Sequence, residues 1–567
     1  MNEESLLIII FFVVAIGVAA YVMIQNNRVR KRYLLERIQK GWGAVPDREY
    51  SYEELESIAR YGERICGDHF YIDDTTWNDL DLLRIFQLLN NTMSSCGEDY
   101  LYAMLRIPRF DRETLEERER LIEYFRAHEK ERVILQRTLA RIGKIKDLSI
   151  TDYIYRINEV KRRGRGKYVF LAFLSLASIA TLFIHPLSGV VFFLTVTCIN
   201  VLTHMRDSAA IEPYFKSLSC ILRILYAADS MKKLKIPEIS EYLKKIEKDS
   251  EAMKGIRKKA RMLANSKGLD DFLSLIMSYI NSFFLLDFIQ FYGVLKDYDG
   301  HQQEVEELIE QIGILDSAIA VASFREYLPL YSVPEFQEHD RVSMEVKDLY
   351  HPLIANPVAN SISVSGGTLV TGSNASGKST FLKNIAVNAI LAQTVHTCVA
   401  SSYKANMMKV MTSMALRDDL QGGESYYIVE IKSIKRILEE AEKKVPLLCI
   451  VDEVLRGTNT IERIAASSRI LNALNQPHVL PFAATHDIEL SYILKDIYRN
   501  YHFEEEICED DVKFNYLLLP GRATSRNAIA LLEMIGYDKE VVKGARKAAE
   551  EFETAGVWKP LEGEAEQ

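Results

Sequence analysis

Nine consecutive residues, Gly372, Ser373, Asn374, Ala375, Ser376, Gly377, Lys378, Ser379 and Thr380, have the make-up of a phosphate-binding loop. They fit the pattern G-x-x-x-x-G-K-[ST] in full. The glycines permit a tight backbone curve whose N–H groups can surround phosphate oxygens. Lys378 has the reach for the β- and γ-phosphates of a nucleotide, and the Ser379 hydroxyl suits a Mg²⁺ ion. Further along, Asp452 and Glu453 end the apolar run from Leu447 to Val451. Asp452 is expected to hold the metal, directly or through water, and Glu453 to polarise an attacking water as general base. Paired acids at a strand end can also cap the next helix, but the phosphate loop upstream favours the chemical reading. His486 follows a second apolar run, from Val479 to Ala483. Together these residues point to binding of ATP with Mg²⁺ and to its hydrolysis.

Such a site needs a rigid scaffold. From about residue 331 onward, short β-rich runs such as Thr368 to Val370 and Leu447 to Val451 are each followed by a polar loop and a helical pattern. That alternation predicts an α/β domain with a mainly parallel sheet. A helix is expected from Thr380 through Ile390, which places a helix N-terminus behind the phosphate loop. Upstream, residues 50–160 and 207–330 read as helical, with apolar positions recurring at three and four residues from Leu80 to Leu89. The stretch from Glu304 to Arg325 reads as a long amphipathic helix. The charge run from Glu241 to Lys259 reads as a solvated helix face.

The chain has 567 residues, 48% of them apolar, which suffices for three or four domains with ordinary cores. With 79 acidic against 70 basic residues the net charge is −9, so the chain as a whole is no general polyanion binder. Any nucleic-acid contact would need a local basic surface such as Arg257 to Lys259. The cysteines number seven and form no C-x-x-C pair, which argues against a disulfide scaffold or a zinc ribbon and fits a reducing compartment.

Two apolar regions have the length and flanks of membrane segments. Leu6 to Ile24 is nearly continuous and is followed by Arg28, Arg30, Lys31 and Arg32, the pattern of an anchor whose C-terminal side is cytosolic. Tyr168 to Leu202 is broken at His185 and Pro186, follows the basic stretch from Lys161 to Lys167, and reads as a hairpin of two short spans. The expected organisation is an N-terminal transmembrane anchor (1–27), a helical region (28–167), a transmembrane hairpin (168–205), a second helical region (206–335), an ATPase domain (336–555) and an acidic tail (556–567). The expected location is a bacterial inner membrane, with three spans in contact with lipid and the ATPase in the cytoplasm.

Four stretches resemble the MutS family. Thr371 to Thr380 is similar to that family's TGPN-x-x-GKST loop, and Asp452 to Thr460 to its DE-x-GRGTST. Ala484 to His486 is similar to its ATH, and Asp418 to Glu430 to its DD-x-x-x-G-x-STF-x-x-E loop. Weaker likeness extends to His351 with Pro352, Asn356 with Pro357, and Pro520 with Gly521, Ser525 and Arg526. It also reaches upstream to Asp74–Leu82, Thr92–Gly97, Leu105–Pro108 and Leu315–Ala322. The resemblance implies an ABC-type P-loop ATPase domain preceded by an all-α core and lever domain, here carrying transmembrane helices. It implies a homodimer in which Ser425 of one protomer completes the nucleotide site of the other. It also implies His486 as sensor of the γ-phosphate, Tyr516 against adenine, and duplex DNA as a partner.

The departures from the family are equally specific. No counterpart of the family's N-terminal mismatch-reading domain is expected in this sequence, and the stretch from Ala260 to Asp316 reads as too short for the usual DNA-gripping clamp. Tyr426 replaces a threonine and Leu455 a glycine. Two expectations therefore stand side by side: an ATP-driven clamp of mismatch-repair type on DNA, and a membrane-coupled conformational or assembly protein that binds no DNA.

Overall fold

A computed structural model describes residues 21–22, 24–26, 28–146, 148–157, 164–257, 279–373, 376–414, 426–507, 512–523 and 528–560. The expected N-terminal anchor, but for its last residues, lies outside these, as do Asn374, Ala375, Ser425, Ser525 and Arg526. The chain divides into two compact units. One comprises Met1–His69, Phe86–Ile107 and Glu116–Tyr327, and the other Phe70–Ile85, Pro108–Leu115 and Leu328–Gln567.

Among its described residues the first unit has helices and connecting loops and no strand. Its main elements are α1 (Tyr52–Cys66), α2 (Ser95–Arg106), α3 (Gly166–Ile184), α4 (Pro186–Met231), α5 (Ser240–Ala252), α6 (Leu286–Tyr298) and α7 (Gln302–Tyr327). Local chemistry starts the helices. Ser51 caps α1 by accepting from Glu54 N, and Ser94 caps α2 by accepting from Gly97 N. The stretch read as amphipathic becomes α7, but its second half is buried on all sides from Leu315 to Arg325. Its polar residues survive burial because each is partnered. Arg325 is paired with Glu119 at 2.6 Å and Glu123 at 2.8 Å. Asp316 accepts from Met93 N, Ser94 N and Ser94 Oγ at 2.6–3.0 Å. Burial nevertheless pushes its carboxyl up to about 6.

Close packing of α2 on α7 depends on two glycines. A Cβ on Gly97 would lie 2.3 Å from Asp316 Oδ2, and one on Gly313 would lie 2.5 Å from Tyr100 Cβ. Gly97→Ala is therefore expected to destabilise the helical unit by about 2–3 kcal/mol. Thermal melting of the purified protein checks this, and an unchanged midpoint would refute the tight approach.

Helices α3 and α4 meet at His185, where the sequence places the break. Gly189 lets α4 start against Thr181 and Leu182, whose backbone a Cβ would approach to 2.7 Å. Gly166–Ile184 and Pro186–Ala209 are both long and apolar enough to cross a membrane. Only 22% and 17% of their apolar windows are buried in the structure. A soluble core would bury such a hairpin, whereas here Phe183 is 85% and Leu187 88% exposed. Beyond Ile211 the same α4 helix turns into core, with Ile221, Leu225, Ala228 and Met231 buried.

The second unit is α/β. Its main sheet is built from β4 (Gly367–Thr371), β6 (Lys409–Ser413), β7 (Leu447–Asp452), β8 (Val479–Thr485), β9 (Tyr498–His502) and β12 (Leu519–Pro520), in the order β12-β9-β4-β8-β7-β6, while β10 (Glu505–Ile507) and β11 (Val512–Phe514) pair with each other. All neighbours are parallel except the edge pair β12–β9. The central strands β4, β7 and β8 are buried at every position, as continuous apolar runs demand. A second, four-stranded sheet has the order β1-β5-β2-β3, from β1 (Glu335–Phe336), β2 (Met344–Leu349), β3 (Asn360–Val364) and β5 (Ser402–Ala405). Residues 70–85 also belong to this unit, a connection that no periodicity announces. The Asp79 carboxylate accepts from Thr412 Oγ1 at 2.6 Å and Met414 N at 3.0 Å, and Lys383 Nζ lies 2.7 Å from Asp81.

Candidate functional site

Parallel register brings three chemically loaded loops to one end of the sheet. Thr371 of β4 pairs with Thr485 of β8, and Ala484 of β8 with Asp452 of β7. The loops that follow those strands therefore emerge side by side at the carboxyl ends, where open α/β sheets bind ligands. Behind the first loop, α8 (Lys378–Thr394) begins two residues earlier than the sequence pattern predicts. Gly377 makes that start with φ +107, and Gly372 leaves β4 with φ +146, so both glycines take conformations that a side chain disfavours.

Lys378 sits in the first turn of α8. Its Nζ donates to the carbonyls of Gly372 at 2.8 Å and Ser373 at 2.6 Å. Burial pushes its pKa down to about 8. The Ser379 and Thr380 side chains are exposed at the loop mouth. Ser376 Oγ donates to Ser373 O at 2.9 Å, and Ser373 Oγ to Glu505 at 2.6 Å, which brace the loop.

Asp452 ends β7 almost fully buried, and its Oδ1 makes no hydrogen bond among the described residues. A buried carboxylate oxygen without a donor is costly, and it is the donor chemistry that a hard cation takes. Together with the open Ser379 hydroxyl, the set fits Mg²⁺. Glu453 begins the next turn at φ +58, with its N–H bonded to Ala484 O at 3.0 Å. Its carboxylate lies 2.6 Å from His486 Nε2 and is also paired with Arg456. Burial, with Lys378 and Arg456 nearby, holds the His486 imidazole below its usual pKa.

The turn from Glu453 to Arg456 is held from below by Glu430, which accepts from Leu455 N at 2.5 Å and Arg456 N at 3.3 Å. Leu455 sits at φ +60. This is the position where the resembled motif carries glycine, and a leucine there costs about 1–2 kcal/mol of backbone strain.

Of these groups Lys378, Ser379, Glu453 and Arg456 line a cavity of about 540 Å³, together with His351, Asn356, Thr380 and Tyr516. Tyr516 packs against the loop, its Cδ1 3.1 Å from where a Cβ on Gly377 would stand. Asn360 fixes it there by bonding Tyr516 O at 3.0 Å and Leu518 N at 2.7 Å. Burial and Lys383 push His351 down to about 4, so it presents a neutral ring to the cavity.

The structure thus brings together Gly372, Ser373, Ser376, Gly377, Lys378, Ser379, Thr380, Asp452, Glu453, His486 and Tyr516. Asn374, Ala375 and Ser425 lie outside the described residues. Three contributors have no role assigned by the sequence: Arg456 on Glu453 and Glu430 under the turn, both inside resembled motifs, and the wall from His351 to Val358. The signal that could have marked the wall is the pair His351-Pro352 and Asn356-Pro357, which sequence resemblance places at the entrance to the domain.

Fold and site define an α/β domain that closes a mononucleotide-sized cavity at the carboxyl end of a parallel sheet. Residues 368–553 match the family model of MutS domain V, a domain of the P-loop ATPase type. Over this domain the chain is similar to the MutS family. It is 31% identical over 252 residues to a DNA mismatch repair protein MutS of Thermus thermophilus, covering 43% of this chain and 30% of that protein. The same-named proteins of Fusobacterium nucleatum and Methanosarcina barkeri are each 27% identical, over 47% and 51% of this chain and 31% and 33% of their own length. The chain spans about a third of the length of the curated relatives it matches.

Proposed function

We propose that the chain is a membrane-anchored ATPase of MutS type. The observation that carries this reading is the meeting of Lys378 and Glu453 on one cavity at the sheet end, with Asp452 and His486 on the adjoining strand ends. When bound, Mg²⁺ would offset phosphate charge, held by Asp452 and the Ser379 hydroxyl. Lys378 exchanges its two loop carbonyls for the β- and γ-phosphate oxygens. Glu453 accepts a proton from the attacking water, and His486, in contact with Glu453 Oε1, orients that carboxylate and meets the γ-phosphate. Tyr516 offers its ring to the base. Ser425 of a second copy completes the site, so two protomers close on ATP and part after hydrolysis.

The exposed apolar hairpin of α3 and α4, with the basic stretch before it, supports anchoring in a bacterial inner membrane with the ATPase in the cytoplasm. Leu6 to Ile24 adds the first of three spans. DNA is the family's partner by the names of the relatives, and a mismatch-repair role comes with it. A membrane-coupled role without DNA is favoured by one specific observation: the exposed hairpin grows out of the helical unit through α4.

ATPase activity of the detergent-solubilised protein, with and without matched and mismatched duplexes across a salt series, tests the reading. Turnover is expected, and stimulation by duplex that fades with salt supports a DNA-acting clamp. Turnover indifferent to DNA supports the membrane-coupled role. Absence of turnover with intact fold would overturn the ATPase itself.

A further inference from the structure

The described part of a third apolar stretch, from Phe283 onward, packs against the hairpin. Residues 272–295 contain one charged residue, Asp287. The described part begins with a helix over 279–284, breaks at Leu285 with φ +55, and continues as α6. Leu285 itself is fully buried, whereas Tyr279 is 70% exposed.

The contacts place this stretch by depth. Ser175 is nine residues past Gly166, and Asn200 nine residues before Ala209, counted along the two candidate spans. At 1.5 Å per residue both lie about 14 Å in from the basic end, close to the middle of a hydrocarbon core about 30 Å thick. At that level the Phe283 carbonyl accepts from Ser175 Oγ at 3.1 Å and from Asn200 Nδ2 at 2.7 Å. One turn nearer the basic end, Asp287 Oδ2 lies 3.0 Å from His204 Nε2. Nearer still, Phe288 and Tyr292 stack on Tyr168 with centroids 4.9 and 5.5 Å away. A Cβ placed on Gly293 would stand 3.7 Å from the Arg165 guanidinium. The chain therefore climbs from mid-depth at Phe283 to the basic rim by Gly293. The helices on either side of this stretch, α5 before it and α7 after it, pack on each other within the helical unit.

We propose that residues 279–293 are a membrane-embedded, re-entrant broken helix, seated in lipid beside α3 and α4, with its break at the bilayer midplane. The proposal rests on the membrane anchoring of the hairpin. Non-helical backbone at that depth is tolerated only where protein groups satisfy it, and Ser175 and Asn200 supply the donors. Intramembrane charge is tolerated only when it is partnered, and His204 partners Asp287. Tyr279, on the helix before the break, faces the acyl chains.

The test uses the full chain in liposomes with Cys198→Ser, nitroxide labels introduced singly, and the background of the unsubstituted chain subtracted. Labels replace Tyr279, Phe173 on α3, and Lys235 in the helical unit. Collision with oxygen, which partitions into lipid, and with a water-soluble nickel chelate reports the surroundings of each. Tyr279→Cys is expected to behave as Phe173→Cys does, shielded from nickel several-fold relative to Lys235→Cys. Nickel access at Tyr279 with Phe173 still shielded would overturn the re-entrant element and leave the anchoring intact. Nickel access at both would overturn the anchoring as well. Asn200→Leu removes a donor from the break and is expected to raise nickel access at Tyr279 but not at Phe173. No change there would overturn Asn200 as its holding residue.

Discussion

Glu453→Gln is expected to bind ATP with near-normal affinity and to hydrolyse it about 10²- to 10⁴-fold more slowly, the usual contribution of a positioned general base. The amide keeps the shape of the side chain and can still contact His486, 2.6 Å away in the native site. It cannot take a proton from water. Because Glu453 stands at φ +58 in a turn fixed by Glu430, its place is set by the backbone, and the substitution leaves the cavity otherwise unchanged. Equilibrium binding of a fluorescent ATP analogue, with single-turnover hydrolysis, separates the two effects. Turnover within a few-fold of normal would remove Glu453 from the base role.

Lys378→Ala is expected to weaken ATP binding by about 10- to 100-fold, the size of a lost charge-assisted hydrogen-bond set. In the structure Nζ holds the carbonyls of Gly372 and Ser373, so the loop is already curled around the ammonium group. With a pKa pushed down to about 8 the side chain remains mostly charged at neutral pH. Nucleotide titration with folding monitored by circular dichroism reads the outcome. Unchanged affinity would mean that the phosphates lie elsewhere in the cavity.

The chemistry of this site was legible because it is written in contiguous residues. A loop between a buried strand and a helix is a local object, and the apolar runs before Asp452 and His486 are strands that need no long-range information. The contacts that hold the site in shape were illegible for the opposite reason. Glu430 meets Leu455 only because α9 (Tyr426–Ala441) passes under the turn after β7. Asp79 joins the α/β unit through Thr412 and Met414, more than three hundred residues away. In α7, periodicity suggested a solvated face, whereas paired charges such as Arg325 with Glu119 allow full burial. The apolar run 272–295 escaped notice because Asn281, Asp287 and Gln290 interrupt it, and those interruptions make sense only once partners such as Asn200 and His204 lie nearby.

The helix α4 runs for 46 residues without a joint, from the tip of the hairpin to the core of the helical unit. At 1.5 Å per residue it is a strut about 70 Å long. A strut amplifies angle: a tilt of about 5° at Met231 would carry Pro186 sideways by about 6 Å, more than half the diameter of a helix. Its stiffness also runs the other way, so a change in bilayer thickness or curvature around the hairpin would be felt as torque among the buried side chains near Leu225.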